Sequence, residues 1–266
     1  MLKEKPTRND LLEILDGLFF FGNENLQVLY GDLDRKDDEN VYYLGLLERA
    51  TVFSDDIGNI LKNTRTGHFM SVYILGRCIM DDYITLQNVK NVPDPREEIF
   101  RINADAMRQN FGKMEELVVL NQQVYGSKFP FYPTPELMQT VRERFLQRTD
   151  VGRYIENPGN ATPESMKFKP HKTLKTMAEM SGSGTDDDMG RAYYFWRQWS
   201  DFVHFSPFCF NLSYDNEGDL DTLYKSLQEL LTYLYRIIHR ILRHYIENKN
   251  YRPVDSKGFV VAFNKK

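Results

Sequence analysis

The sequence predicts an all-α protein, a single-domain helical bundle of about five to seven main helices. Apolar residues recur at helical spacing through most of the 266 residues, and the longest stripe runs from Leu220 to Tyr245. Strand patterns are nearly absent apart from Phe259 to Phe263. The hydrophobic fraction of 41% is sufficient for a large core.

The first predicted helices lie in the N-terminal part of the chain. Asn9 and Asp10 are N-cap candidates for a helix that Gly22-Asn23 is expected to interrupt. A second helix is predicted at about 41–61 and a third at about 67–89. The third is apolar nearly all round, which is typical of a central helix surrounded by others.

The following elements alternate between helices and loops. An amphipathic helix is predicted at about 96–124, and Thr134 or Pro135 starts a shorter one. The segment at about 157–170 is rich in Pro, Gly, Asn and Lys, and we expect a surface excursion there without a second core. A short helix at about 172–180 precedes the helix that contains the candidate site, and we expect Pro207 to end that one. Asp219 is expected to cap the last helix.

Composition limits the function classes. We expect one domain over 1–266, with its core at about 41–247 and a short C-terminal tail at 248–266. The 34 basic and 38 acidic residues give a net charge of -4, which argues against a whole-protein attraction to nucleic acid and predicts no DNA specificity. Cys78 and Cys209 form no ligand motif, and no apolar run is long enough for a membrane span. A cytoplasmic protein is therefore expected.

One predicted helix carries a polar stripe beside an apolar stripe. The polar stripe contains Tyr193, Arg197, Ser200 and His204. Arg197 could bind phosphate and His204 could transfer a proton, as cleavage of RNA requires. The structural alternative has Ser200 bonded to its own helix, His204 as a hydrogen-bonded residue in the core or at a helix end, and Arg197 in an ion pair.

A charged pair interrupts the apolar third helix. Arg77 and Asp81 lie four residues apart, so they either fix helix register or line an internal polar pocket. His204 would meet them if it points into the bundle. Glu48 and Asp55 on the preceding helix are further candidates for such a pocket.

Metal and cofactor sites are not predicted. None of the five histidines has Glu three residues before it, so the pairs that build di-metal sites in helical bundles are missing. A basic run near the end of the last helix suits the helix dipole and predicts a solvated face, with an RNA-facing patch as the alternative. That run consists of Arg236, Arg240, Arg243 and His244.

Two stretches resemble an uncharacterised bacterial and phage-associated helical domain family. Members carry a Tyr/Trp, Ser, His-then-Ser pattern, which Tyr194-x5-Ser200-x3-His204-x-Ser206 resembles. They also carry an arginine followed by an acidic residue on an earlier apolar helix, and Ile74 to Asp81 is similar to that helix. The resemblance covers roughly Val41 to Tyr245 and implies a fold more than an activity.

Arg197-x6-His204 is also similar to the HEPN superfamily of helical ribonucleases, toxins and abortive-infection proteins. Its mark is an arginine and a histidine separated by four to six residues, although Gln198 stands where Asn, Asp or His is more typical. The resemblance implies a metal-independent endoribonuclease in phage defence or a toxin system. Arg197 and His204 would be catalytic, with Tyr193 and Ser200 orienting them, in a homodimer acting on RNA.

Two other hypotheses remain open beside the ribonuclease. The protein could be a non-catalytic module that binds a small ligand or partner through a pocket lined by Arg77, Asp81, Ser200 and His204. Alternatively, the same residues form a satisfied network that only fixes helix register. Exposure separates these hypotheses, because an enzyme needs Arg197 and His204 beside solvent or a dimer cleft.

Overall fold

A computed structural model describes residues 4–34, 36–63, 70–180, 189–203, 217–256 and 258. Within these ranges the chain forms eight α-helices and two 3-10 turns, and its one β-type pairing is an isolated bridge between Ile155 and Phe168. The all-α prediction is confirmed, with slightly more helices than expected. The strand pattern at 259–263 lies outside the described residues.

The helices follow the periodic segments of the sequence. They are α1 (Arg8–Asp32), α2 (Asp38–Asn63), α3 (Met70–Asn91), α4 (Pro95–Tyr125), α5 (Pro135–Leu146), α6 (Leu174–Met180), α7 (Met189–Ser200) and α8 (Glu217–Lys249). The 3-10 turns are Val151–Arg153 and Pro158–Asn160. None of the helices in the described part is long and apolar enough to cross a bilayer.

The chain divides into two compact units. Unit 1 contains Met1–Lys90 and Leu174–Lys266, and unit 2 contains Asn91–Thr173. The expectation of one domain over 1–266 stays a prediction beside this division. Each unit has its own buried side chains, which are described separately below.

Unit 1 is built around α8. This 33-residue helix packs along α1 and α2, which also pack against each other. Its predicted apolar stripe is buried from Leu223 to Tyr245, and these side chains share the interior with Leu15 of α1 and Leu47 of α2. Helix α1, which lies before the expected core boundary at about residue 41, therefore contributes to the same core.

Helix α1 corrects two expectations. Its N-cap is Thr7, and Asp10 is the third helical residue of a capping box rather than the cap. The predicted break at Gly22-Asn23 does not occur, because α1 continues to Asp32. A Cβ on Gly22 would lie 2.2 Å from Oγ1 of Thr51, so this glycine allows α1 and α2 to approach closely.

Two boundaries near the candidate site also differ from expectation. Helix α7 ends at Ser200 instead of Pro207, because the next residues form a turn in which Val203 N–H donates to the Ser200 carbonyl at 3.1 Å. Helix α8 starts at Glu217, so Asp219 lies within the first turn and is not the cap. Residues 204–216, including His204, lie outside the described residues.

Unit 2 has a hydrophobic cluster of its own. Asp94 caps α4, while Thr134 caps α5 with Pro135 in its first turn, as the sequence indicates. The cluster includes Phe111, Phe145 and the buried Ile155. Met166 and Phe168 of the segment 157–170 are partly buried and pack against this cluster. The expectation of a surface excursion there without a second core stays a prediction.

The chain after α8 returns to α1 through one buried amide. The Nδ2 of Asn25, which is 0% exposed, donates to the Val254 carbonyl at 2.8 Å. Its Oδ1 accepts from Val254 N–H at 2.9 Å and from Tyr251 Oη at 2.7 Å. The Asn25 side chain therefore holds the C-terminal segment against α1, and Glu24 of the same helix adds a hydrogen bond that its Oε1 accepts from Ser256 Oγ at 2.6 Å.

Replacing this amide should destabilise unit 1. We expect Asn25→Ala to lower the free energy of unfolding by about 1–3 kcal/mol, because it removes the hydrogen bonds that the fully buried Asn25 side chain makes with Val254 and Tyr251. Asn23→Ala, on the same helix, is the matched control and should change it by less than about 0.5 kcal/mol. Urea unfolding of the three proteins measures the difference, and equal stabilities would contradict this role of Asn25.

Candidate functional site

Arg77 of α3 reaches α7, where two of the predicted site residues meet. Its Nε donates to Oγ of Ser200 at 3.0 Å, and its guanidinium carbon lies 4.9 Å from the centre of the Trp196 ring. Oγ of Ser200 in turn donates to the Trp196 carbonyl at 2.6 Å. Both sequence-predicted residues therefore belong to one hydrogen-bonded connection between helices.

Close packing surrounds this connection. Gly76 lies against Trp199, whose ring atoms would be 2.7 Å from a Cβ at that position. Tyr73, one turn earlier on α3, stacks on Phe202 with ring centres 4.5 Å apart. The apolar stripe of α7 buries Ala192 and Trp199 as expected.

Arg197 is not part of the connection between Arg77 and Ser200. It is exposed, and within the described ranges it forms no ion pair or hydrogen bond. Tyr193 is half-buried and stacks on Trp196 with ring centres 5.6 Å apart. The structure therefore brings Ser200 to Arg77 without joining Arg197 to them, and the catalytic pairing of Arg197 with His204 stays a prediction.

The carboxylates proposed for the same pocket have other surroundings. Asp81 is half-buried on α3. Glu48 accepts a hydrogen bond from Oη of Tyr30 at 2.8 Å, and Asp55 accepts one from Asn59 at 3.1 Å. Glu48 and Asp55 are both occupied on the surface of α2, so neither extends the Arg77 connection.

A buried carboxylate that the sequence analysis did not select lies next to Asp81. The side chain of Asp82 is 10% exposed, and its Oδ2 lies 3.2 Å from Nε of Arg49 on α2. Burial raises the pKa of Asp82 to about 7, although Arg49 opposes this shift. Burial also raises the pKa of the nearby Cys78 thiol, which makes it a poor nucleophile near neutral pH.

Unit 1 also contains a basic recess of about 140 Å³ between α2, α3 and α8. It is lined by Tyr43, Leu86, Lys90, Arg240, Arg243, His244 and Glu247. Tyr43 and Leu86 are buried, whereas Lys90, Arg243 and Glu247 are exposed. The recess therefore has an apolar, aromatic floor and a charged rim.

The charges of the basic recess are unevenly paired. Arg243 Nε donates to Glu247 Oε1 at 2.6 Å, but in the described part of the chain neither Lys90 nor Arg240 has an ion pair. Nη1 of Arg240 is buried and has no hydrogen-bond partner among the described residues, and its guanidinium lies 4.7 Å from the centre of the Tyr83 ring. Burial and the two arginines lower the pKa of Lys90.

The imidazole at this recess is uncharged at neutral pH. His244 stacks on Tyr43 with ring centres 4.0 Å apart, and its Nε2 lies 3.6 Å from Oε1 of Glu39. Burial lowers the pKa of His244 below its ordinary value, although Glu39 acts in the opposite direction. The positive charge of the recess therefore comes from Lys90, Arg240 and Arg243.

Sequence reasoning missed part of both charged clusters. Asp82 shares a helical face with the apolar Ile79 and Leu86, and this position was the available signal for a buried carboxylate. The basic run on α8 was noticed, but Arg236 does not line the recess. Lys90 joins the cluster from another helix, and no local pattern marks that meeting.

Neither a metal cluster in the described part of the chain nor a match among known proteins indicates a function. Within the described residues, no group of three or more His, Cys, Asp or Glu side chains is arranged to hold a metal ion. Comparison with protein-family models, curated proteins and solved structures gives no match. Functional inference therefore rests on the geometry of the two clusters.

The close contact at Gly76 should be sensitive to one methyl group. We expect Gly76→Ala to lower the free energy of unfolding by about 1–3 kcal/mol, because the new Cβ would overlap Trp199. Gly45→Ala is the matched control on α2, where a Cβ meets no atom within 4 Å, and it should stabilise by about 0.5–1 kcal/mol. Thermal or urea unfolding checks both signs; a neutral Gly76→Ala would contradict the packing of α3 on α7.

Asp82 should make stability depend on pH. Between about pH 4 and 7 its carboxyl is protonated in the folded protein and ionised in the unfolded chain, so its contribution is present at low pH and lost as pH rises through about 7. The slope approaches about 1.4 kcal/mol per pH unit. Asp82→Asn should remove this part of the dependence.

The measurement is the unfolding free energy of the parent and of Asp82→Asn from pH 5 to 8. Subtracting the two curves cancels the other titrating groups that the proteins share. Asp55→Asn, at an exposed position on α2, is the control and should follow the parent. A constant difference between the parent and Asp82→Asn would mean that Asp82 ionises normally.

Proposed function

We propose that this protein is a non-catalytic helical module that binds a ligand or partner, and that the Arg77 network is structural. The observation that supports this proposal is the pair of contacts by which Arg77 joins α3 to α7. Its guanidinium is held by Ser200 and Trp196, and the Ser200 hydroxyl already donates to its own helix. Groups occupied in this way are poorly placed to act on a substrate.

A concentration of cations in the basic recess supports binding there. The buried Nη1 of Arg240 lacks a partner within the described residues, and Arg240 lines the basic recess together with Lys90. Convergent polar groups above an apolar floor are typical of small-ligand sites. The recess is thus a better candidate for ligand binding than the stripe on α7.

The second candidate function is a HEPN-like, metal-independent endoribonuclease acting as a homodimer on RNA, in phage defence or a toxin system. The observation in its favour is that Arg197 is exposed and has no ion-pair partner in the described part of the chain, so a phosphate can reach it. In this hypothesis His204 transfers the proton. A cytoplasmic location is proposed for both functions.

One set of variants tests the two proposals. A mixed RNA pool is incubated with the purified protein and a metal chelator, beside Arg197→Met and His204→Ala. We expect intact RNA in every sample. Arg77→Met should lower the free energy of unfolding by about 1–3 kcal/mol because it breaks the connection to Ser200, whereas Arg197→Met should change it by less than about 0.5 kcal/mol.

The two arginine variants carry the same substitution and therefore serve as matched controls for each other. Cleavage by the parent that disappears in folded Arg197→Met and His204→Ala would replace the binding proposal with the ribonuclease. Unchanged stability of Arg77→Met would show that the network does not hold α3 to α7.

A further inference from the structure

We infer that the basic recess between α2, α3 and α8 binds a single phosphate group of a small phosphorylated molecule. The inference rests on the proposed binding function and names its site and ligand class. It depends on three features of the recess: the charges that remain available, the buried guanidinium and the size of the space.

The available charge matches a phosphate dianion. Lys90, Arg240 and Arg243 supply three cations, and Glu247 pairs with one of them. Two positive charges therefore remain beside His244, which is uncharged at neutral pH. A phosphomonoester carries about -1.5 to -2 near pH 7, so it would neutralise this charge. The concentration of cations is local, because the whole chain has a net charge of -4.

Arg240 provides the most specific contact. Its Nη1 is buried without a hydrogen-bond partner among the described residues, which costs free energy in the ligand-free protein. Because Arg240 lines the recess, its guanidinium would donate a charge-assisted hydrogen bond to a phosphate oxygen there. Tyr83 lies against the guanidinium and limits the directions in which Arg240 can turn.

Lys90 supplies the second contact from a different helix. It is at the end of α3, where burial lowers its pKa first and the nearby charges of Arg240 and Arg243 lower it further. A bound anion would relieve this repulsion. Because Lys90 is exposed at the rim, its side chain can adjust to the position of the ligand. For the same reason, replacing Lys90 leaves no buried cavity.

The size of the recess selects a small group. Its volume of about 140 Å³ is well below the roughly 300–1,000 Å³ of pockets that enclose drug-sized ligands. The recess can therefore enclose the phosphate end of a ligand, while the remainder of that ligand stays outside. The phosphate could belong to a small metabolite or to the 5′ end of an RNA strand, and we propose the small molecule.

Calorimetric titration with sodium phosphate at constant ionic strength near neutral pH tests the proposal. The parent should bind one phosphate per chain. Arg240→Leu should weaken binding at least about tenfold, and Lys90→Met by several-fold, because each removes one cation from the recess. Arg236→Leu is the matched control: Arg236 also lies on α8 against a tyrosine ring, but it does not line the recess, so this variant should bind like the parent.

Thermal unfolding of each variant is recorded first. If Arg240→Leu does not fold, Lys90→Met at the exposed rim decides the question. Parent-like phosphate binding by folded Lys90→Met and Arg240→Leu would overturn the proposal, as would equal weakening by Arg236→Leu. A parent that binds no phosphate would overturn it as well.

A second titration distinguishes the sources of phosphate. Adenosine monophosphate should bind at the site that Arg240→Leu impairs, and a short RNA with a 5′-phosphate should bind no more tightly than the same RNA without it. Phosphate-dependent binding of the RNA alone would replace the small-molecule ligand with a nucleic-acid end. Failure of the binding-module proposal is detected by a different experiment. That proposal fails if the protein cleaves RNA in the presence of a chelator, and this result does not depend on phosphate binding.

Discussion

The burial of one long amphipathic helix governs the architecture of unit 1. The apolar stripe of α8 is covered by α1 and α2, and the area removed from water there is a principal source of stability. The same helix carries Arg240 and Arg243 along the edge of that stripe. Core packing therefore fixes the position of the basic recess, since the arginines are anchored by the turns that bury Ile237 and Ile241.

Polar groups inside the helical packing are satisfied in different ways. Asn25 is completed by backbone groups from a distant segment, and Arg77 by a hydroxyl and an aromatic ring. Asp82 differs from both, because the half-exposed Arg49 offsets only part of the free-energy cost of burying its carboxylate. Of the four, Arg240 is the one whose side chain has a buried nitrogen, Nη1, without a hydrogen-bond partner among the described residues.

Local periodicity made the helices predictable, whereas the contacts between helices could not be predicted from it. Each apolar stripe is a local pattern within one continuous segment, so α2, α4 and α8 lie close to their expected ranges. Gly22 was misjudged because its role depends on Thr51 of another helix. Helix α7 ends before the predicted residue, so the single helical face that was to unite Ser200 and His204 stops at Ser200.

The same distinction applies to the candidate site, where single residues could be selected from the sequence but their contacts across helices could not be predicted. Arg77 and Ser200 were selected from separate helices and do meet, but the partner expected for them was an imidazole rather than Trp196. The basic recess required Lys90 and Arg240 to meet although α4 to α7 separate them in the sequence. Such a meeting is a property of the folded chain and leaves no local pattern.

The anchoring of Val254 by Asn25 has a consequence for synthesis on the ribosome. Unit 1 combines both ends of the described chain, whereas unit 2 is a continuous segment between them. Unit 2 can thus complete its contacts while α8 has not yet been translated. Until then the faces of α1 and α2 that α8 covers stay exposed to water. The Asn25 amide likewise gains its bond to Val254 only after that residue has been synthesised.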